Sequence, residues 1–239
     1  MKKQKLSIIL PVFNEEKNIP QVVEKYLLLS KNIDLELIFV EDGGSTDKTR
    51  TVLKKVEEKY SFVKILFTEE RGYGISIFNG LKKAKGDFVG WTHSDLQTNP
   101  KDVSTGFEII KKLGYPKGIY LKGKRIERPI LDKLINTIGM SLFETIILGV
   151  GLYDINAQPN IFHSSFVSKM ASPPKDFSFD LYAYYLAKKN KYLVKRFPVI
   201  FGKRIHGKSA WNTGLKARIK FIKRTVNFTF ELKKNLKNE

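Results

Sequence analysis

An Asp-Gly-Gly-Ser-Thr-Asp run, Asp42 to Asp47, follows the apolar stretch 35–40 and precedes an amphipathic one. Its glycines reach backbone angles closed to other residues, and Asp42 projects past a buried strand, where a carboxylate accepts hydrogen bonds from a base or a ribose. Glu41 beside it makes a pair of acids at one strand end, an arrangement that is unfavourable unless something uses it. Thr46 and Asp47 read better as N-caps of the next helix. Asn14 and Glu15 close the first apolar run after Pro11, and capping is the alternative for Asn14. Arg71-Gly-Tyr-Gly74 precedes another helical pattern and offers a phosphate one cation and free amides. The chain has no cysteine, so disulfides, thiolate zinc sites and thiol nucleophiles are excluded. Any catalysis rests on carboxylates, imidazole, hydroxyls or a metal held by oxygen and nitrogen.

Positioning these residues requires a frame. Short β-branched or aromatic runs predict strands over 6–10, 35–40, 63–67 and 88–92, and apolar residues at helical spacing predict helices over 16–30, 47–59 and 74–85. Such alternation predicts an α/β fold, a mostly parallel sheet covered by helices on both faces, with ligands at the carboxyl ends of the strands. Four segments lie there: 11–15, 41–47, 68–74 and 93–100.

Beyond Gly114 the pattern is less regular and more basic. Residues 111–128 hold seven cations, among them Lys122, Arg125 and Arg128, against the single acid Glu127. A helix with a wide apolar stripe is predicted from Leu131, another over 179–190, and a strand over 193–201 that Pro198 marks as an edge. Between Phe201 and Phe230 there is no acid and there are eight cations. The last helix, predicted over 214–237, sets Leu215, Ile219, Ile222, Val226 and Phe230 on one face and Lys216, Lys220, Lys223 and Arg224 on the adjoining one. That suits a helix in a membrane interface, and equally a helix packed on the domain with a solvated basic face. The expected organisation is one domain over 1–213 with a basic amphipathic helix over 214–239.

With 42% apolar and 12% aromatic content in 239 residues, the chain is too rich in core formers to be disordered. Its net charge of +19 points to an anionic partner. The apolar run at 6–10 is too short for a signal peptide, and the longest run, 146–152, is far below the ~20 residues that cross a bilayer. The expectation is a cytoplasmic protein that does not span a membrane.

The segment His93-Ser94-Asp95-Leu96-Gln97-Thr98-Asn99-Pro100 completes a series. "ILPVFNEEKNI", "FVEDGGSTDKT", "RGYGISIFNGLKKAKGDFV" and "HSDLQTNP", in that order and spacing, resemble the family 2 inverting glycosyltransferases, which have the GT-A fold. "DINAQPNIF", "FSFDLYAYYLAKKN" and "KRIHGKSAWN" are similar to the dolichyl-phosphate mannose synthase-like branch, which moves a sugar from a nucleotide donor to a polyprenyl phosphate at the membrane.

The resemblance implies roles. Pro11, Asn14 and Glu15 would line the nucleotide pocket, with Asp42 at the base, Asp87 near the ribose or the metal loop, and Arg71, Ser94 and Lys208 also on the donor side. The family's Asp-x-Asp pair holds Mg²⁺ or Mn²⁺ against the donor diphosphate. Here Asp95 matches the second acid and Gln97 a further ligand, while His93 replaces the first acid. An imidazole there would favour Mn²⁺ or let cations share the task, and a stacking or capping role is the alternative. Arg204, His206, Lys208 and Ser209 match the late basic motif, whose cation would stabilise the leaving diphosphate. Trp211 reads as an interfacial or packing aromatic.

The implied reaction is a single displacement with inversion. A lipid phosphate acceptor is already ionised and needs only cations, for which Lys122, Arg125 and Arg128 are the candidates. A sugar hydroxyl acceptor needs a carboxylate base, Asp154 or Asp180, each of which has a structural salt-bridge or capping alternative. The expected partners are a nucleotide sugar, a polyprenyl-phosphate or glycan acceptor, and an anionic membrane on whose cytoplasmic face the protein sits. A non-enzymatic binder of anionic surfaces or nucleic acid is the remaining reading, and no nucleic acid is expected.

Overall fold

Strands β1 (Lys5–Val12) and β2 (Asp34–Glu41) are apolar along almost their whole length, and both are buried. That follows from a sheet with both faces covered, where alternation has no solvent side to serve. The computed structural model describes residues 3–127, 137–206 and 215–236. The remaining strands are β3 (Val63–Phe67), β4 (Phe88–Trp91), β5 (Ile119–Ile126), β6 (Asn160–His163) and β7 (Leu193–Ile200). They form one sheet of order β3-β2-β1-β4-β6-β5-β7, in which β6 alone runs antiparallel to its neighbours. Pro198 lies in β7, the edge strand that its missing N–H requires.

Helices α1 (Ile19–Ser30), α2 (Thr49–Lys59) and α4 (Pro100–Lys112) bury Val22, Val23, Leu53, Val103, Phe107 and Ile110 against one face. The other face receives α3 (Tyr73–Lys83), α6 (Phe179–Lys189) and α7 (Leu215–Leu236), with Ile77, Leu81, Tyr182 and Leu232 in its core. Helix α5 (Met140–Leu148) packs against α7. Trp91, Phe162 and Phe179 are fully buried in edge-on contact, each ring contributing about 1.5–3 kcal/mol by leaving water. Helix α3 sits so close to the sheet that a Cβ on Gly80 would stand 2.7 Å from Ile9.

The expected elements of the first hundred residues are present, with ends moved by up to three residues. Helix α4, which opens on Pro100 with Asn99 capping the Lys101 amide, has no counterpart in the sequence reading. Nor has β5, which lies inside the stretch read only as basic, nor β6. No helix among the described residues is long and apolar enough to cross a membrane.

The amino end of the sheet is closed by polar side chains. Glu36 accepts from the Ser7 hydroxyl and from the Lys85 amide at 2.8 Å, and Asp87 accepts from the Lys5 amide at 2.9 Å. Asp87 was expected at the donor. It stands before β4, so it lies at the opposite end of the sheet from the ligand rim, where it fastens the start of β1.

Candidate active site

At the carboxyl rim, backbone amides of one loop are satisfied by side chains of the next. The Asn14 amide donates to Ser45 Oγ at 3.1 Å, and the Asn14 side-chain oxygen accepts from the Thr46 amide at 2.7 Å. Glu15 and Glu16 amides donate to Thr49 Oγ1 and Asp47 at 2.9 and 3.2 Å. Asp47 also takes the Thr49 amide at 2.9 Å, as its capping reading requires. Asp42 accepts from the Gly44 amide at 3.2 Å and the Gly72 amide at 3.0 Å, joining the β2 loop to the start of α3. Gly72 has φ +137°, and a Cβ there would stand 2.3 Å from the Lys175 carbonyl, so no other residue fits. Arg71 is exposed beside this loop, with one guanidinium nitrogen 3.5 Å from the Gly43 carbonyl. Glu41 has a structural use: it accepts from the Ser45 amide at 3.0 Å and Arg50 at 2.7 Å. Burial works against its charge, but these partners hold its pKa below the ordinary value.

The β4 loop carries the centre. Ser94 donates to the Pro11 carbonyl at 2.8 Å, locking this loop to β1. Leu96 has φ +61°, a left-handed conformation that costs a leucine about 1–2 kcal/mol and that the surrounding bonds must hold. Asp95 Oδ1 accepts from the Gln97 amide at 3.1 Å, and Oδ2 faces Arg204 at 3.2 Å. Arg204 also bonds Glu15, so one half-buried guanidinium joins the acids of two loops. Burial raises Glu15 to about 7 despite that neighbour and Asn18. Gln97 and Gly202 exchange bonds of 2.7 and 3.1 Å, which seats the Arg204 loop on the Asp95 loop. His93 stands edge-on to Phe201 at 5.6 Å, and burial lowers its pKa, leaving a neutral imidazole at pH 7. His206 reaches Gln21 on α1, its ring nitrogen 3.3 Å from the amide.

Among the described residues no three His, Asp or Glu side chains are gathered to hold a metal ion. Asp95 supplies one hard carboxylate, and His93 and Gln97 add an imidazole and an amide. This donor set fits a divalent cation only if phosphate oxygens complete the shell.

The acceptor-side candidates are differently placed. Lys122 has no exposed surface: Nζ donates to the Ala157 carbonyl at 2.7 Å and Asn160 Oδ1 at 2.9 Å, lying over the Tyr184 ring. Burial lowers it to about 7. It is an interior group, not a surface cation for a phosphate. Arg125 is engaged with Asp154, its backbone amide at 2.7 Å and Nε at 2.8 Å. Arg196 stands 3.6 Å from the same acid. Burial opposes the Asp154 charge, but Arg125 holds its pKa below the ordinary value, which makes it a poor base. Asp180 is buried too, accepting from Trp91 Nε1 at 2.9 Å and Tyr73 OH at 3.1 Å, with burial raising its pKa. Asp154 therefore takes the salt-bridge alternative, and Asp180 is held by internal hydrogen bonds that the sequence reading did not foresee. Arg128, Lys208, Ser209 and Trp211 lie outside the described residues.

Of the polar cluster of Tyr73, Trp91, Gln158, Asn160 and Asp180 beneath the rim, the sequence reading singled out Asp180 alone and missed the partners that gather round it. Its one signal was an acid in the first turn of a helix that is otherwise apolar from Phe179 to Ala187.

Known proteins are similar to this chain in sequence or in fold. The dolichol-phosphate mannosyltransferase of Pyrococcus furiosus is 30% identical over 136 residues, 55% of this chain and 38% of that protein. The undecaprenyl-phosphate 4-deoxy-4-formamido-L-arabinose transferase of Photorhabdus laumondii is 28% identical over 103 residues, 42% of this chain and 32% of that protein. The matched region thus spans under two-fifths of either relative. The glucosyl-3-phosphoglycerate synthase of Mycobacterium tuberculosis, solved with Mn²⁺, UDP and phosphoglyceric acid, superposes with a TM-score of 0.68 at 19% identity, over 96% of this chain and 78% of that one. A mannosyltransferase of Pyrobaculum calidifontis in complex with GDP-Man and Mn²⁺ gives 0.62 at 17% identity, over 87% and 59%. The fold is the GT-A fold of these enzymes. Since residues 7–127, just over half of the chain and the span that builds the Asp42 and Asp95 loops, match its family description, the chain belongs to glycosyl transferase family 2.

Proposed function

We propose that this chain transfers a sugar, with inversion, from a nucleotide-sugar donor to a polyprenyl phosphate at a membrane surface. One observation carries the choice of acceptor: Asp154 and Asp180 are both locked in internal bonds, Asp154 by arginine and Asp180 by Trp91 and Tyr73. No base is needed when an ionised phosphate oxygen attacks the anomeric carbon. The new C–O bond forms as the bond to the nucleotide diphosphate breaks, the diphosphate takes the electron pair, and no proton moves.

The chain's residues bind and orient. Pro11, Asn14, Glu15 and Asp42 line the nucleotide side of the rim, and Arg71 approaches it from the start of α3. Arg204, held by Glu15 and Asp95, supplies preorganised positive charge for the leaving diphosphate. Asp95, with His93 and Gln97, would hold Mg²⁺ or Mn²⁺, which supplies further charge neutralisation there.

The membrane part of the reading rests on two helices. Leu142 and Ile146 of α5 and Ile219 and Phe230 of α7 are 60%, 67%, 46% and 51% exposed. Lys220 and Lys223 stand exposed on α7 as well. Apolar side chains at the acyl boundary with cations among headgroups make an interfacial surface.

The test is incubation with labelled nucleotide sugars, Mg²⁺ or Mn²⁺, and purified polyprenyl phosphate. Label in the organic phase is expected. Label confined to water-soluble glycan would replace this acceptor with a saccharide hydroxyl.

A further inference from the structure

The face of α6 opposite Asp180 borders a groove of about 940 Å³, walled by α7 and the segment 169–176. Six cations line it against two acids, Asp176 and Glu231. Arg224 is paired with Asp176 at 3.4 Å. Lys169, Lys220 and Lys223 have no acidic partner among the described residues. Positive charge thus outweighs negative on this one concave surface.

We propose that this groove seats the phosphate-bearing headgroup of an anionic phospholipid. The inference rests on the membrane part of the proposed function and gives it a specific partner. Three observations select that ligand. The charge is positive and concave, which focuses the field on an anion. On the same helix α7, at 100° per residue, Lys223 lies beside the exposed Ile219 and Phe230 and Lys220 about a quarter-turn from them, so one bilayer meets both. The groove's aromatic residues are largely packed: Tyr182 and Tyr185 are buried, and the half-buried Phe228 meets Tyr182 edge-on at 6.3 Å, a poor platform for stacking nucleic-acid bases.

The groove also shares a wall with the catalytic rim. The Lys175 carbonyl accepts the Gly74 amide at 2.9 Å and the Ile75 amide at 3.2 Å, fixing the segment 169–176 to the first turn of α3. Tyr73 stacks on Phe177 at 4.6 Å, and Arg224 lies over the same Phe177 ring. A headgroup held between Lys169 and Lys223 therefore sets the height of the donor rim above the bilayer.

The experiment compares the full chain with two charge-matched triple variants in vesicle co-sedimentation. One variant is Lys169→Gln, Lys220→Gln, Lys223→Gln. The other is Lys25→Gln, Lys54→Gln, Lys55→Gln, on the exposed surfaces of α1 and α2. Vesicles are phosphatidylcholine alone or with phosphatidylglycerol. The groove variant is expected to lose on the order of 100-fold in partition onto phosphatidylglycerol vesicles, each lysine contributing about fivefold, while the α1/α2 variant keeps wild-type partition. Equal losses in both variants would overturn the groove by showing nonspecific attraction. Wild-type partition by the groove variant would overturn it too, as would glycerol 3-phosphate binding the groove while vesicle partition is untouched, or single-stranded RNA binding that alone depends on the three lysines. Nucleotide-sugar affinity, measured in the same variants, is expected to stay at the wild-type value. Loss of the groove with intact donor binding leaves the transferase reading standing, and absent donor binding in the wild type sinks that reading independently.

Discussion

The two halves of the sheet use charged side chains in opposite ways. From β1 to β4, acids and amides at the rim bond one loop to the next and leave Asp42 half-buried and Arg71 exposed there, with Asp95 buried against Arg204. From β5 to β7, the most prominent charges face each other: Arg125 and Arg196 clamp Asp154, and Lys122 fills the interior beside Asp180. A donor site must be preorganised yet open, so its loops are tied through backbone groups. The second half instead spends its internal charges on rigidity and exposes apolar residues on α5 and α7. Charge density along a sequence consequently says little about where charge is available.

The sharpest separation of the halves is kinetic. Asp95→Ala removes the carboxylate that meets Arg204 and matches the family's metal-binding acid, and turnover of nucleotide sugar is expected to fall about 1,000-fold or more. Folding stability is expected to fall by about 1–2 kcal/mol, since the Gln97 amide loses its acceptor while Arg204 keeps Glu15 as a partner. Initial rates with a labelled donor and a urea melt read the two quantities. A variant that turns over normally removes Asp95 from the site.

Asp154→Asn gives the reverse signature. It leaves Arg125 without its buried partner, a loss of about 3–5 kcal/mol. Denaturant melts should register it, and any protein that remains folded is expected to keep its kcat. Intact stability with lost transfer to a sugar hydroxyl would make Asp154 a base and erase the contrast between the halves.

Much of the donor half was legible in sequence because its signals are local. The runs 6–10 and 35–40 are buried strands, and the Asp42 and Asp95 loops follow strand ends directly. Asp87 was misplaced for a geometric reason: it is near β4 in sequence but precedes it, and a strand's two ends are on opposite sides of the sheet. Strand β5 was hidden because Lys122 and Lys124 read as surface charge, although Lys122 points into the core with Asn160 and Ala157 as partners. The roles of Asp154 and Asp180 were undecidable from pattern. Their deciding partners, Arg125 and Trp91, lie 29 and 89 residues away in the chain.

Helix α7 joins the second half through an acid with no ion-pair partner among the described residues. Glu144 on α5 is fully buried, one oxygen accepting from Thr229 at 2.6 Å and the other without a hydrogen-bond partner among the described residues. Burial raises its pKa to about 7, above the 4.5 of a free glutamate. Between those values the folded state holds a proton that the unfolded chain has lost, so stability falls as pH rises from about 4.5 to 7 and then levels. Glu144→Gln is expected to flatten that slope and to stabilise the protein at pH 8 by at most ~3 kcal/mol. Urea melts at pH 5 and pH 8 measure it, and an unchanged slope would mean that Glu144 is ionised throughout.

The smallest effect tests whether the ends of the sheet differ as much as its halves. Asp87→Ala removes one bond from the Lys5 amide at the amino end, worth about 1 kcal/mol. Donor affinity is expected to stay unchanged, since the length of β4 separates Asp87 from Asp95. The same substitution in a residue touching ribose would weaken donor binding and leave the melt nearly untouched. Isothermal titration with nucleoside diphosphates beside a thermal melt therefore assigns Asp87: lost stability alone places it in the frame, and lost affinity alone returns it to the donor site.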